Sequence, residues 1–358
     1  MLGFYLVGIL GLALLMVVHE AGHLFAARAF GMRVLRFSIG FGPAIWRHQS
    51  KNGETVYQVA LIPFLAYVQI AGMNPFEEVD PNDKGSYANA SLVGRIVTIF
   101  AGPLANYLFA SVLIFVALIF GGEPVSTMKV EVMDGPAKAA QMQDGDLVVA
   151  VNGTKVRDWE HMRGLILASG GKPIDVEVLR GTERKNIQIT PSIEGGRAII
   201  GIASVYEQKP VGFRDAVVRS IERPAIVVGT LVESLGRIIT GKERPQLTGP
   251  VGIVREAKRA AERSFTEYFT LLAILSAYLG GFNLLPFPAL DGGRLSFLTY
   301  EAVTRRKPNA KVEAQVHAVG LLMLLALIFV VSSKELFIND DPAPTKPAPK
   351  PPASAPAK

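Results

Sequence analysis

Four apolar runs restrict what this chain can fold into more than any other feature. They are Met1 to about Phe25, Ile96 to Phe120, Tyr268 to Leu290, and about Val316 to Ser333. Each approaches the roughly 20 residues that an α-helix needs to cross the hydrocarbon of a bilayer. The second and third runs carry no charge, the fourth is the shortest, and the first is interrupted by "VVHEAGHLFAAR". Backbone in lipid must satisfy its own hydrogen bonds, so four spanning helices are expected. The hydrophobic fraction of 49% agrees with that reading. The first run lacks the basic flank and small-residue cleavage site of a signal peptide, so it reads as a retained span.

Lysine and arginine exceed aspartate and glutamate by 37 to 31. They form no dense stripe with interleaved aromatics, so nucleic acid is not expected as a partner. Instead they cluster beside the spans. Arg28, Arg33, Arg36, Arg47 and Lys51 follow the first, and Arg294, Arg305, Arg306, Lys307 and Lys311 lie between the third and fourth. Nothing basic precedes the first run. By the positive-inside rule both basic loops are cytoplasmic, which places both termini and the region 121–266 on the other side. The chain has no cysteine, which excludes disulfides and leaves any metal to nitrogen and oxygen ligands.

Between Val125 and about Val205 the texture is that of a small soluble α+β unit. A strand, a turn at Asp134-Gly135-Pro136, a short helix, a turn at Gly145 and a strand from Leu147 to Val151 lead to the hairpin dipeptide Asn152-Gly153. "IDVEVLRGTERKNIQITP" alternates as a further hairpin. From Phe213 to Ile239, Val217, Ile221, Ala225, Val228, Val232, Leu235 and Ile239 recur at helical spacing, with a kink or break expected at Pro224. That stripe suits either a membrane surface or a packed core. The Pro/Ala/Lys-rich end reads as an extended or disordered tail. The expected division is 1–122, 123–205, 206–266, 267–333 and 334–358.

His19 and His23 are four residues apart and share one helical face, where two imidazoles can hold one divalent ion. Glu20 beside them can take a proton from water and return it to a leaving amine. Each ionisable group in such a run costs roughly 2.5–3.5 kcal/mol or more, which weighs against three of them by chance. A catalytic zinc usually takes three protein ligands. His48, His161 and His317 read as surface or interfacial residues. Asp291 in "NLLPFPALDGG" is the first acid after a long uncharged stretch. The residues alone leave it open between a third ligand and a turn that caps the third span. Pro286 and Pro288 expose backbone at membrane depth, which is tolerated around a protein-lined or wet cavity.

These motifs resemble the site-2 proteases, which are intramembrane zinc metalloproteases. The likeness rests on H-E-x-x-H in the first span, "FSIGFGPAIW" after it, "AGPLAN" in the second span and "NLLPFPALDGG" in the third, and it covers about 1–333. It implies a zinc cofactor held by His19, His23 and Asp291, with Glu20 catalytic. Asn283 would help hold the substrate backbone. The stretch "PFLAYV", Pro63 to Val68, stands where the family usually reads P-x-G-G-Y-V. There the resemblance implies a membrane-associated hairpin that pairs with an extended substrate over 60–73, with Tyr67 and Val68 in contact. Leu65 and Ala66 replace two glycines, which changes the backbone angles easily reached.

The run "DGPAKAAQMQDGDLVVAVNG" is similar to PDZ domains; one such domain is visible, where the enterobacterial form carries two. The implied fold is a membrane α-helical protein of four transmembrane helices with an inserted PDZ-like domain. The subgroup resembled cleaves membrane-bound anti-sigma factors in the bacterial inner membrane. Its substrate is a single-span protein already trimmed by another protease, with the PDZ-like domain gating bulky ectodomains. A non-catalytic PDZ membrane scaffold and a metal-ion transporter are the rival expectations.

Overall fold

The first apolar run forms one helix, α1 (Leu2–Ala29), in a computed structural model that describes residues 2–62, 66–74, 77–243, 245 and 247–337. Gly31 ends it with φ +75°, while Met32 N–H returns to the Ala27 carbonyl at 2.8 Å. A left-handed residue past the last turn lets the chain satisfy an orphan carbonyl as it leaves the helix. Strands β1 (Val34–Ile39), β2 (Phe41–Gln49), β3 (Val56–Ile62) and β4 (Tyr67–Ile70) follow and form a sheet in the order β2-β3-β1-β4. The β1–β3 pair is parallel, whereas β2–β3 and β1–β4 are antiparallel. Val34, Phe37 and Ile70 pack with Leu24, Ala27 and Met32, so apolar burial fixes this sheet to the end of α1.

The stretch in which the resemblance implies a hairpin, Pro63 to Val68, falls between the end of β3 and the start of β4, and these two strands do not pair with each other. The strand β1 lies between them and uses both of its edges, so β4 stands alone at the sheet margin. Pro63, Phe64 and Leu65, within that expected hairpin, lie outside the described residues.

The second run is α2 (Leu92–Gly121), whose first turn is capped by Ser91 Oγ accepting from Gly94 N–H at 3.1 Å. The chain then enters a unit of its own, Gly121–Val211. It contains β5 (Glu123–Val132), α3 (Pro136–Ala139), β6 (Leu147–Val151), β7 (Thr154–Lys155), α4 (Trp159–Ala168), β8 (Ile174–Arg180), β9 (Glu183–Ile189), β10 (Ser192–Glu194), β11 (Arg197–Ile199) and β12 (Ile202–Lys209). The main sheet runs β12-β5-β6-β8-β9, with β7 on β6. Asn152 and Gly153 have φ +49° and +73°, as the expected two-residue turn requires. Val130, Val148, Val176, Val178 and Met162 close a core between sheet and helices.

The remaining helices belong with α1 and α2 in the other unit: α5 (Phe213–Ile239), α6 (Pro250–Arg263), α7 (Phe265–Asn283), α8 (Asp291–Thr304) and α9 (Ala310–Phe337). Three expectations need correction. The helix α5 runs unbroken through Pro224, whose ring is buried along with Ala216, Ser220 and Leu231. That inward row is offset from the expected stripe, so Ile221, Val232 and Ile239 remain exposed. The third span stops at Asn283, well short of Leu290, because Pro286 and Pro288 cannot continue a helix. The fourth span extends to Phe337, so residues 334–337 are helical, and 338–358 lie outside the described residues. This extension has a cause: Glu335 accepts from Gly249 N–H at 2.6 Å and Gly252 N–H at 3.1 Å, capping α6. The helices α1, α2, α7 and α9 are each long and apolar enough to cross a membrane.

Candidate metal centre

His19 and His23 lie one turn apart near the end of α1 and are 5% and 6% exposed. They face α2 at a crossing made close by two glycines. A Cβ on Gly22 would collide with the Ala101 carbonyl, and one on Gly102 would collide with the His23 ring. Small residues let membrane helices approach at backbone distance. The His23 ring thereby reaches the Thr98 carbonyl, to which its Nδ1 donates at 2.7 Å. That bond puts the proton on Nδ1 and leaves Nε2 as a lone pair. On the other ring, His19 Nδ1 faces the side-chain amide of Asn106 at 3.4 Å.

The third group arrives from the opposite end of the sequence. After α7 the chain makes a tight loop and begins α8 at Asp291. Ala289 in that loop has φ +75°, a left-handed angle unfavourable for a residue with a Cβ. Two contacts from α9 hold it. Ala289 N–H donates to His317 Nδ1 at 3.0 Å, and Gly320 packs so tightly on Pro288 that a Cβ there would overlap the ring. Gly292 and Gly293 lie under the carbonyls of Leu284, Leu285 and Phe287, where a side chain would not fit. The D-G-G sequence is therefore a packing requirement as well as the start of a helix.

Asp291 Oδ2 is 3.1 Å from His19 Nε2 and 3.4 Å from His23 Nε2, and the two Nε2 atoms are 3.2 Å apart. This is the group of metal-capable side chains found among the described residues. Asp291 Oδ2 is buried and faces both imidazole nitrogens. A buried carboxylate oxygen that faces two imidazole nitrogens is an arrangement that a cation would fit. The donors are two nitrogens and one oxygen with no thiolate, a set that fits zinc with one position left for water or substrate.

Glu20 follows His19 in sequence and accepts from Val68 N–H at 3.0 Å. Val68 belongs to β4, so the site and the margin of the small sheet are joined through this carboxylate. The Tyr67 hydroxyl is directed elsewhere, accepting from Gln58 Nε2 at 3.3 Å and Arg36 Nη1 at 3.4 Å. Asn283 donates to the Leu279 carbonyl of its own helix at 3.0 Å, and no hydrogen bond joins it to His19, His23 or Asp291. His48 stacks on Trp46 in β2, and His161 sits in the first turn of α4. Sequence reasoning missed Asn106 and His317. The first lay unremarked inside "AGPLAN", and the second was read as interfacial. A buried amide in an otherwise apolar helix was the available signal for Asn106.

Comparison with known proteins gives the family. The family model for "Peptidase family M50" matches residues 7–327. A putative zinc metalloprotease of Nostoc sp. (strain PCC 7120) is 34% identical over 340 residues, covering 89% of this chain and 92% of the relative. A putative zinc metalloprotease of Mesorhizobium japonicum is 32% identical, covering 91% and 96%. The zinc metalloprotease RasP of Geobacillus kaustophilus is 28% identical, covering 90% and 95%. With a family match that covers residues 7–327 and reaches into all four apolar helices, the chain belongs to peptidase family M50 and is a multi-pass membrane metalloprotease.

Proposed function

We propose that this peptidase is a zinc-dependent endopeptidase that cuts single-span membrane proteins within or just inside the bilayer. The observation that supports it most is the convergence of His19 Nε2, His23 Nε2 and Asp291 Oδ2 near the end of the apolar helix α1 and at the start of the short helix α8. Zinc held by these three residues would supply Lewis acidity towards a peptide carbonyl. Glu20, one residue from a ligand, takes the proton from water and passes it to the departing amine. His19 and His23 are buried, so bulk water does not compete at the site. A helical peptide bond is shielded by its own hydrogen bonds, so the substrate unwinds and is bound extended. The margin strand β4 offers the backbone groups for that pairing by strand addition, with Val68 nearest the base. Asn283 reaches the substrate backbone only after leaving Leu279.

The substrate class is a membrane protein of the anti-sigma-factor kind, trimmed beforehand by another protease. The unit 121–211 acts as a PDZ-like filter on its ectodomain, and both termini and this unit face away from the cytoplasm. The test is to incubate the detergent-purified chain with a panel of single-span membrane peptides, with and without chelator, reading products by mass spectrometry. Metal-dependent internal cleavage is expected. Glu20→Gln should retain one zinc per chain and lose cleavage. Full activity in that variant would overturn the role of Glu20. Metal flux in vesicles without peptide products would favour a transporter, and neither flux nor products would favour a scaffold.

A further inference from the structure

The two histidines are oriented from behind by the same helix in different ways. His23 has a backbone partner, the Thr98 carbonyl, which fixes its tautomer. His19 has a side-chain partner, Asn106, two turns further along α2. Asn106 is fully buried, and its position is set on three sides. Its own carbonyl accepts from Ser276 Oγ of α7 at 2.9 Å, its amide nitrogen lies 3.4 Å from His19 Nδ1, and Gly280 of α7 packs on its Cβ. Its side-chain oxygen, Oδ1, is buried with no donor.

The two ends of an amide exchange places by a half-turn about Cβ–Cγ. With nitrogen towards the ring, the amide donates to Nδ1, and the His19 proton then sits on Nε2, between His23 Nε2 and Asp291 Oδ2. That is the place a cation would take. With the amide turned, Oδ1 accepts from Nδ1–H, the orphaned oxygen gains its donor, and the Nε2 lone pair faces the ligand cluster. We propose that Asn106 is a positioning residue for His19, its side-chain oxygen holding the Nδ1–H tautomer that metal binding needs. This rests on the metal reading given above. The same physics underlies ligand histidines whose second nitrogen is held by a carbonyl or carboxylate, and loss of such a partner typically weakens metal binding 10–100-fold.

The test is competition for Zn2+ between a chromophoric chelator and the detergent-purified full chain, comparing wild type, Asn106→Leu, Asn106→Asp and His19→Ala. Leucine nearly matches asparagine in shape but accepts nothing, whereas aspartate restores an acceptor. Asn106→Leu should bind zinc about 10–100-fold more weakly, and Asn106→Asp should return to wild-type affinity. A leucine variant at wild-type affinity overturns the proposal, and so does an aspartate variant no better than leucine, which would mark a packing role. If wild type and His19→Ala bind alike, the metal reading itself fails, and this proposal with it. A second readout does not depend on any variant folding. In zinc-free wild type labelled with 15N-histidine, His19 should already show a protonated Nδ1, held there by the Asn106 oxygen. A His19 spectrum with the proton on Nε2 overturns the proposal equally.

Discussion

Single residues set this site, and the decisive ones are small as often as they are chemical. Gly102 has no side chain to offer, yet any Cβ there would occupy the space of the His23 imidazole. Since that ring is also held by Thr98, it cannot move aside without losing its bond. Gly102→Ala is therefore expected to weaken zinc binding while α2 stays helical, alanine being the better helix former. Chelator competition alongside circular dichroism checks this, and an alanine variant with unchanged zinc affinity would refute the close crossing. His317 is a comparable case. Its ring accepts the Ala289 N–H within the left-handed turn just before Asp291.

At the scale of elements, the short helix α8 matters most, because its first residue is Asp291 and its last turns are tied to α2. Arg95 Nη1 and Nη2 donate to Glu301 at 3.0 and 2.5 Å, and both side chains are nearly buried. A planar fork against a carboxylate gives a defined geometry, so the pair fixes the far end of α8. Removing one partner leaves a buried charge, a loss of about 3–5 kcal/mol, whereas replacing both with apolar residues of similar volume is often neutral. Glu301→Ala should accordingly lower the unfolding temperature in detergent markedly, and Arg95→Met with Glu301→Leu should recover most of it. Equal destabilisation by the single and double variants would show that the ion pair contributes through more than its own charge balance. Just after α8 ends, Lys307 Nζ donates to the Ala88 carbonyl at 3.1 Å.

For the whole molecule, the division into two units makes a direct prediction. Glu123 and Lys209 are partners across β5 and β12, so the two ends of the inserted unit lie roughly 5 Å apart. The three proposed metal ligands, His19, His23 and Asp291, all belong to the other unit. Replacing 123–209 by a short glycine-serine linker should leave zinc affinity unchanged, as read by chelator competition, and loss of binding would contradict the independence of the two cores. The sequence alone determined the four apolar helices, the hairpin turns of the inserted unit and the pair His19 and His23, because periodicity and local turn chemistry are written within a few residues. Asp291 stayed ambiguous between ligand and turn in the residues themselves, and only the resemblance singled it out. Tertiary structure decided the pairing of Asp291 with an imidazole pair some 270 residues earlier, the placing of β1 between β3 and β4, the unbroken course of α5 through Pro224, and the roles of Asn106, Gly102 and His317. Each of these depends on which backbones come close across the fold, and contact at long sequence separation leaves no period in a sequence to read.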